Sequence, residues 1–510
     1  MKEKTALSQK LWGPHARVSL LLATAALILF CALGGRELWT QEWRWADISW
    51  YMMYSGDYLH PLLAGTAYYD KPLLSYWVMV LFSHLVGGLN EWALRLPAAL
   101  AGMLAIWSVY RIGSVTVNRQ AGLMAGWMLA STYFFIFWAR TANADMLNLA
   151  GTLLAIQWYF EHKERPTFFS YVTFFLILAV TALFKGLIGI AIPLLAILPD
   201  VIQDKNWQKY LSFKLIFALL PAIGVYLLPF WASTHFGGQH YAENGLYEVY
   251  RENILRYFAP FDHQGPIYTY LIYLPIYMLP WAFLFIPALA TLPKRWAQMN
   301  SAARWSVWST LIIFLFLTFS GSRRNYYVLP LVPFAILLTA QWLATGAEQA
   351  KRLRWTKYLL FTGLLVSFVS FGVVQPLYYS GGGVRPFAKA VQASATAVQP
   401  WQNWNIVFLD ARSKITLYLN PARPIQLLNA PGNSKHVDRD QANFTDAQLV
   451  AAWPMIAKPP TNTIFVSRVS YLAKLQPYFK NYTVIMAPLS LGERVLPNKD
   501  SDRPIAFIPK

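Results

Sequence analysis

Long apolar runs separated by short charged segments dominate the first three quarters of the chain. Eleven runs lie at about 16–36, 91–111, 120–138, 145–161, 167–184, 186–201, 213–233, 267–292, 305–321, 325–344 and 357–378. Each approaches the roughly 20 residues that a membrane-spanning helix needs. A shorter run, Leu73–Val86, predicts a re-entrant or interfacial helix, and the two runs on either side of Gly186 also fit a tight hairpin. The pattern predicts a polytopic α-helical membrane protein with about 11 to 13 membrane helices.

The last stretch has a different pattern. The glycines Gly381–Gly383 predict a flexible joint, and short β-like runs alternate after them with helix-like segments. The strands are predicted at Asn405–Leu409, Pro424–Leu428, Thr463–Val466, Tyr482–Met486 and Ile505–Ile508, and the helices at Arg385–Val398 and Asp446–Ile456. Such alternation is typical of an α/β domain. We therefore predict a membrane domain over 1–379, with an outer juxtamembrane loop at 37–90, and a small α/β domain over 380–510.

Composition agrees with a membrane protein. The chain is 56% hydrophobic and 13% charged, whereas soluble proteins carry about 25% charged residues. The formal net charge is +19. In a membrane protein this excess indicates anionic lipids and basic cytoplasmic loops rather than nucleic acid. The only cysteine, Cys31, excludes an intrachain disulfide, and the first apolar run is expected to be a retained helix because no cleavage site follows it.

The connecting charges predict the orientation of the spans. Lysine and arginine concentrate in alternate connections, which include Lys2–Lys10, Arg111–Arg119, Lys163–Arg165, Lys205–Lys214, Lys294–Arg304 and Lys351–Lys357. These connections are expected on the cytoplasmic side. With eleven spans, the N-terminus is then cytoplasmic and the 380–510 domain lies outside, which in a bacterial inner membrane is the periplasm.

The segment between Trp39 and Trp77 is unusual because charges alternate with aromatic residues. Glu42, Arg44 and Asp47 come directly after the first span. Aromatic side chains favour the membrane–water interface, and charges near lipid are usually paired, solvated or functional. Asp47 would lie in the first turn of a helix, where a carboxylate is favoured. The functional interpretation is a catalytic or acceptor-orienting carboxylate beside an arginine; the alternative is a solvated interfacial loop with ordinary helix caps.

A second candidate is the motif Tyr68-Tyr69-Asp70-Lys71-Pro72. Pro72 favours an extended conformation at Lys71, which can direct the ammonium group towards a bound anion. Lysine is a common phosphate ligand. The alternative is a lysine that extends from a helix end towards water.

Further charged residues fall in the predicted outer connections. Arg140 and Asp145 flank one joint, where they pair with the 39–77 segment or form a structural ion pair. His263 lies in another outer loop and is either a surface residue or, with a carboxylate, part of a metal site. Arg323 and Arg324 oppose the usual charge bias, which favours phosphate binding. No glycine-rich phosphate loop is evident, so no nucleotide cofactor is expected, and a sugar donor at the outer face would have to be carried by a lipid.

These motifs resemble a known family. They are similar to the GT-C membrane glycosyltransferases related to protein O-mannosyltransferases, and most of all to the lipid A aminoarabinose transferase branch. The resemblance covers about 1–345, with the motifs in order. They are Gln41-Glu42-Trp43-Arg44-Trp45-Ala46-Asp47, Ser55-Gly56-Asp57-Tyr58, Tyr69-Asp70-Lys71-Pro72-Leu73-Leu74, Glu91-Trp92-Ala93-Leu94-Arg95-Leu96-Pro97, Ala139-Arg140 with Asp145, and Tyr326-Tyr327-Val328-Leu329-Pro330.

The resemblance implies an inverting transfer from a polyprenyl-phosphate sugar, with undecaprenyl phosphate as the carrier. By matching position, Lys71 with Arg324 or Tyr327 would hold the donor phosphate, and Tyr68 is a further residue expected to bind it. Asp145, Arg44, Arg140 and Gln41 would organise the cavity. In some relatives a divalent metal ion is bound by residues that match Asp70 and His263. The acceptor implied is lipid A, another glycan or a protein, and a monomer is expected.

One position departs from the family pattern. The leading acidic residue of the family, usually given the catalytic role, falls on Gln41, and a glutamine cannot act as a general base. Glu42 could take over this role, and it is our leading hypothesis. Asp47 could do so from the next turn, or the acceptor is an ionised phosphate that needs orientation more than deprotonation. An inactive relative is a fourth interpretation.

Two rival classes are a lipid or sugar-lipid flippase and a binding protein that acts through its C-terminal domain. Transporters often contain internal repeats and broken helices that meet at the bilayer midplane. No repeat is visible here, and the ionisable residues lie at one face. We therefore expect an enzyme, a lipid-linked glycosyltransferase.

Overall fold

The computed structural model describes residues 11, 17–39, 41–204, 210, 212–236, 247, 250–259, 264–345, 349–411, 414–428, 445–495 and 503–510. These residues form two compact units. The membrane unit consists of the described residues within Met1–Leu33, Tyr69–Phe82 and Arg95–Gly372, and the sheet unit of those within Gly34–Tyr68, Ser83–Leu94 and Val373–Lys510. Neither unit is continuous in sequence. The boundary between the membrane domain and the C-terminal α/β domain, predicted between residues 379 and 380, is not tested by this division.

Helices occupy every predicted apolar run. They are Val18–Phe30, Leu74–Val86, Glu91–Thr116, Arg119–Ala130, Tyr133–Ala139, Ala144–His162, Phe168–Lys185, Ile188–Gln203, Phe213–His235, Thr269–Tyr277, Ala282–Ala290, Ser301–Phe319, Val332–Ala344 and Gln349–Val369. Shorter helical turns lie at Arg251–Leu255, Arg256–Phe258, Leu292–Arg295, Trp296–Gln298, Asn325–Leu331, Ser370–Val374 and Gln375–Tyr378. Within the described residues, six helices are long and apolar enough to cross a membrane, or seven if one bent pair counts as a single span. The polytopic α-helical fold is confirmed.

Two predicted spans are divided. The run at 120–138 forms two helices bent by 68°. At the bend, the hydroxyls of Ser131 and Thr132 donate to the carbonyls of Trp127 and Met128, 2.7 and 2.8 Å away. Hydroxyls that bond back to the preceding turn bend helices. The run at 267–292 forms two helices of 9 residues each, and Pro280, which has no backbone N–H, lies between them.

Two helices also form on either side of Gly186, as predicted. Gly186 has φ +113, a conformation that L side chains rarely adopt. The break therefore needs a glycine. A Cβ there would also lie 2.4 Å from Oδ1 of Asn253, which accepts the Leu187 N–H at 2.8 Å. The turn after Lys185 is fixed by these contacts.

The sheet unit contains two sheets. A short antiparallel hairpin joins Leu62–Leu63 (β1) and Thr66–Ala67 (β2). The larger sheet has the strand order β4-β3-β5-β7-β6. Strands β3, β4 and β5 are parallel, whereas β7 runs antiparallel to β5 and β6. Its strands are Asn405–Leu409 (β3), Gln426–Leu428 (β4), Thr463–Arg468 (β5), Tyr482–Met486 (β6) and Pro504–Pro509 (β7). All five predicted strands are confirmed within two residues at each end.

Both faces of the central strands β3, β5 and β7 are buried. Ile406 and Phe408 of β3 belong to one hydrophobic cluster, and Val407 and Leu409 to another. Successive side chains of a strand point to opposite faces, so a continuous apolar run is what a doubly covered strand requires. The covering elements include Val384–Thr396, Asp446–Ala452, Leu472–Leu475 and the turns Pro454–Ile456 and Val469–Tyr471, and the unit also contains Trp401–Asn403, Lys414–Leu419 and Leu491–Val495.

Candidate functional site

The helix Glu42–Ser55, here called the carboxylate helix, belongs to the sheet unit and carries three predicted site residues. It begins where the Glu42 carboxylate accepts the Trp39 N–H at 2.7 Å. An acidic residue in the first turn also complements the helix dipole. The helix ends at Gly56, whose φ of +71 is the left-handed cap that glycine favours.

Glu42 is fully buried and ion-paired. Its Oε2 lies 3.1 Å from a guanidinium nitrogen of Arg36, which is itself buried. A buried charge is tolerated only with such a partner. The carboxylate of Glu42 is therefore committed to contacts within the protein.

Asp47, one turn further along, is also buried. Its Oδ2 accepts the Ala64 N–H at 2.7 Å, and the Thr416 hydroxyl donates to the same carboxyl group. Burial raises the pKa of Asp47 to about 6, although both hydrogen bonds lower it. A carboxyl group with this pKa can bind or release a proton near neutral pH.

The other predicted residues of this segment lie near the start of the carboxylate helix. Arg44 donates to the Tyr68 hydroxyl at 2.9 Å. Gln41 is the N-cap residue, is partly exposed, and makes no capping bond with its side chain. The assigned roles of Gln41, Arg44 and Tyr68 stay predictions.

A cavity of about 360 Å³ lies within the membrane unit. Its polar lining includes three cations, Lys71, Lys185 and Arg256, together with Glu252, Asn253, Ser320, Ser322 and the tyrosines Tyr257, Tyr270 and Tyr327. Its apolar lining includes Leu187, Ile188, Ala191, Ile254, Phe258, Phe316, Leu317 and Pro330. We call it the cationic cavity. Its lining suits a molecule that is anionic at one part and apolar elsewhere.

The three cations are held by local structure. Lys71 donates to the Asp70 carbonyl at 2.9 Å and lies 3.8 Å from Glu252. Lys185 ends the helix Phe168–Lys185, where the helix dipole favours a cation. It pairs with Asp145, and its ammonium lies 5.0 Å from the Tyr327 ring centroid.

Arg256 completes this set. It pairs with Glu252 four residues earlier and donates to the Ser322 hydroxyl at 3.2 Å. Counting Asp145 and Glu252, the three cations outnumber these carboxylates by one. The group therefore keeps a net positive charge that an anion can neutralise.

Two predicted site residues, Arg140 and Arg324, bond to groups outside the lining of the cationic cavity. Arg140 donates to the carbonyls of Ile28, Leu29 and Cys31 at 2.6 to 2.8 Å. These carbonyls end the helix Val18–Phe30 and have no partners within that helix, so Arg140 is well placed as a structural cap. Arg324 donates to the Tyr326 hydroxyl at 2.9 Å. It is not among the described lining residues of the cationic cavity, and its phosphate role stays a prediction.

The predicted metal site is only partly described. Asp70 is partly exposed, whereas His263 lies outside the described residues. Within the described part of the chain, no three or more His, Cys, Asp or Glu side chains form a group that could hold a metal ion. The metal stays a prediction, and no chemical step is assigned to it.

Sequence reasoning missed Lys185, Glu252 and Arg256 as site residues. The sequence contains one indication of a possible role for each of them. Lys185 interrupts two apolar runs, and Glu252 and Arg256 are four residues apart, the spacing of a helical ion pair. What the sequence lacked was any indication that these segments meet.

Comparisons with known proteins agree with this architecture. A family model described as dolichyl-phosphate-mannose-protein mannosyltransferase matches residues 70–232. An undecaprenyl phosphate-alpha-4-amino-4-deoxy-L-arabinose arabinosyl transferase from Shewanella sediminis is 27% identical over 64% of this chain and 60% of its own length. The transferase of the same name from Pectobacterium carotovorum is 24% identical over 85% of this chain and 80% of its own length.

Solved structures share the fold. The crystal structure of ArnT from Cupriavidus metallidurans bound to undecaprenyl phosphate superposes with a TM-score of 0.72 at 18% identity, over 96% of this chain and 97% of the other. The oligosaccharyltransferase of Archaeoglobus fulgidus in its apo form gives 0.51 at 11% identity, over 94% and 75%. The likeness to ArnT covers 96% of the chain and therefore includes most of the sheet unit.

Proposed function

Because this chain belongs to the GT-C family of membrane glycosyltransferases, we propose that it transfers a sugar from a polyprenyl-phosphate donor to an acceptor at the periplasmic face. The observation that carries this proposal is the cationic cavity. It combines three cations with a largely apolar wall, which matches a phosphate attached to a lipid. Undecaprenyl phosphate is the carrier, as in the ArnT crystal structure.

Lys71, Lys185 and Arg256 hold the donor phosphate. Lysine binds phosphate as a point charge, and arginine can donate two parallel hydrogen bonds. An acceptor oxygen attacks the anomeric carbon, and the bond from that carbon to the phosphate oxygen breaks. The electron pair leaves with polyprenyl phosphate, which gains negative charge. Fixed cations stabilise charge that develops in the transition state more strongly than in the ground state.

The sugar that we propose is 4-amino-4-deoxy-L-arabinose, because transferases of this sugar align with up to 85% of the chain. The proposed acceptor is a phosphate group of lipid A. A phosphate monoester has a second pKa of about 6, close to that of Asp47. A proton can therefore pass between the two groups with little change in free energy.

Asp47 in its ionised form is accordingly the carboxylate that orients this acceptor and takes its remaining proton. Glu42, our leading candidate from sequence, is fully buried and paired with Arg36, which suits a structural role better. An ionised phosphate also explains why Gln41 can replace the acidic residue of the family.

The experiment is a transfer assay with the purified protein in phospholipid vesicles. The donors are undecaprenyl phosphates that carry aminoarabinose or other sugars, and the acceptors are lipid A, dephosphorylated lipid A, an oligosaccharide and a peptide. Mass spectrometry of the products should show aminoarabinose on phosphorylated lipid A only. No transfer with any pair, or movement of the sugar-lipid across the vesicle without transfer, would refute the proposal and favour the flippase.

A matched pair of variants tests the cavity. Lys71→Gln should lower transfer about 100-fold, because one fixed charge at a developing anion contributes a factor of about 10² to 10³. Lys294→Gln removes the same charge from an exposed position and should leave transfer unchanged. Equal activity of the two variants would show that Lys71 does not bind the donor phosphate.

We place the N-terminus in the cytoplasm and the sheet unit in the periplasm. The charge rule assigns the segments around Lys71, Lys185, Glu252 and Ser322 to the outer side, and all four line one cavity. In a Cys31→Ser background, a membrane-impermeant maleimide applied to spheroplasts should label Ala397→Cys but not Glu164→Cys. Both positions are exposed. Labelling of Glu164→Cys alone would therefore show that the protein has the opposite orientation in the membrane.

A further inference from the structure

A short helix of the sheet unit, Lys414–Leu419, packs against the carboxylate helix. The two helices are far apart in sequence but belong to the same compact unit. One of its side chains, Thr416, reaches the Asp47 carboxyl that the proposed function uses. A second, Tyr418, contacts the segment that leads into the carboxylate helix. We call this element the positioning helix.

Tyr418 joins two segments that flank the first spans. Its hydroxyl accepts the Leu38 N–H at 2.8 Å and donates to the Glu91 carboxylate at 2.8 Å. Burial, followed by the nearby carboxylates Glu91 and Glu37, raises the pKa of Tyr418 well above its usual value. The hydroxyl therefore stays protonated and keeps its role as a donor to Glu91.

Arg385, in the preceding helix Val384–Thr396, holds the same segment. Its guanidinium donates to the Gly34 carbonyl and to Glu91, at 2.5 and 2.6 Å, and its backbone N–H donates to Glu37 at 2.9 Å. Gly383 permits this approach, because a Cβ at Gly383 would lie 2.6 Å from the Glu37 carboxylate. Residues 34–38 are therefore held by side-chain and backbone groups of the region after Val373.

This held segment leads directly into the carboxylate helix. It contains Arg36, the ion-pair partner of Glu42. The positioning helix also contacts Asp47 directly, because the buried Thr416 hydroxyl donates to the Asp47 carboxyl. Asp47 and the start of its helix thus both depend on contacts made by residues 416 and 418.

We propose that Thr416 and Tyr418 are positioning residues for sugar transfer, which fix the Asp47 carboxylate and the 34–38 segment in the geometry that the acceptor requires. This inference rests on the proposed function of Asp47. It assigns a role in the reaction to a helix that lies outside the region of motif resemblance. Neither residue touches the donor in this assignment, so their loss affects turnover rather than donor binding.

The first test uses Tyr418→Phe, which removes only the hydroxyl. We expect kcat to fall about 10- to 100-fold, since small misplacements of reacting groups have effects of this size, with the donor KM unchanged. The control is Tyr482→Phe in the same sheet unit, whose hydroxyl donates to the Pro460 carbonyl at 3.3 Å. An unchanged kcat in Tyr418→Phe, or a loss equal to that of the control, would overturn the proposal.

The second test uses Thr416→Val and the pH profile. The Thr416 hydrogen bond lowers the pKa of Asp47, so its removal should move the acidic limb of kcat/KM to higher pH. Among the described side chains, the titratable groups on the carboxylate helix and the positioning helix are Glu42, Arg44, Tyr51, Tyr54 and Tyr418. Burial, followed by the charge of Asp47, raises the pKa of Tyr51 to about 12, far from this limb. A lower rate with an unmoved limb would indicate a merely structural role for Thr416.

Amide hydrogen exchange distinguishes a failure of the positioning role from a failure of the proposed function. In Tyr418→Phe, the amides of residues 34–38 should exchange faster than in the wild type and in Tyr482→Phe. If the wild type transferred no sugar in the panel above, the proposed function would fail, whereas the exchange data would still decide whether Tyr418 holds the segment. Unchanged exchange would overturn the positioning role in either case.

Discussion

The cationic cavity and the carboxylate helix use charge in opposite ways. In the cavity, the side chains of Lys71, Lys185 and Arg256 keep 22, 16 and 14% of their surface exposed. On the carboxylate helix, Glu42 and Asp47 are only 0 and 3% exposed. The cavity cations are therefore more accessible than the helix carboxylates, although protein groups hold both sets. On the proposed function, we expect the cavity to set the strength of donor binding and the carboxylate helix to set the geometry of the acceptor.

The largest effect that tests this comparison is on stability. Arg36→Gln removes the buried positive partner of Glu42, and breaking a buried ion pair destabilises by about 3–5 kcal/mol. We expect a lower apparent melting temperature in detergent for Arg36→Gln and for Glu42→Gln. The double variant, which leaves neither charge, should recover part of the loss.

Lys71→Gln provides the contrast for these variants. Lys71 lies 3.8 Å from Glu252, a longer separation than in the Arg36–Glu42 pair, and its side chain reaches solvent. Its substitution should lower transfer but leave the melting temperature nearly unchanged. If Arg36→Gln melted like the wild type, the carboxylate helix would not depend on its ion pair, and the comparison would fail.

The next effect is on turnover. Lys185→Gln should lower transfer about 100- to 1000-fold, because it removes a fixed charge from the proposed phosphate site. It also leaves Asp145 without its cation. The double variant Lys185→Gln with Asp145→Asn should regain stability without regaining transfer, which a melting curve and the transfer assay can separate. Recovery of both would show that Lys185 serves only to neutralise Asp145.

The membrane helices and the strands could be predicted from sequence because their signals are local. An apolar run of about 20 residues or a short β-branched run is recognisable without knowing its neighbours. The bend at Ser131 and Thr132 was missed because hydroxyl bonds to the preceding turn leave no mark in the hydropathy pattern.

The candidate site was predicted less completely, because its contacts join distant segments. Lys71 and Tyr327 were identified by their motifs, and both line the cavity. Arg140 was assigned to the cavity, and this role stays a prediction. Its bonds to carbonyls at the end of the helix Val18–Phe30 cannot be read from a charge at a predicted outer joint. The bond from Leu38 to Tyr418 spans 380 residues, and no periodicity or motif in a single sequence specifies a pair so far apart.

The smallest effect concerns the pH dependence of stability, and it arises from Asp47. Its carboxyl has a pKa of 3.8 as a free group and about 6 in the folded protein. Between these values the folded state binds more protons than the unfolded state, so the free energy of unfolding falls as pH rises through this window. The whole contribution is on the order of 3 kcal/mol.

This loss should be complete above pH 6 and absent below the unfolded pKa. Asp47→Asn removes the titrating group and should therefore lessen the decline of the melting temperature between pH 4 and pH 6. Asp446→Asn, an exposed aspartate of the same unit, should leave the decline as it is in the wild type. If Asp47→Asn kept the full decline, the carboxyl of Asp47 would be ionised throughout this range. It could then bind an acceptor cation or hydroxyl, but it could not exchange a proton with a lipid phosphate near neutral pH.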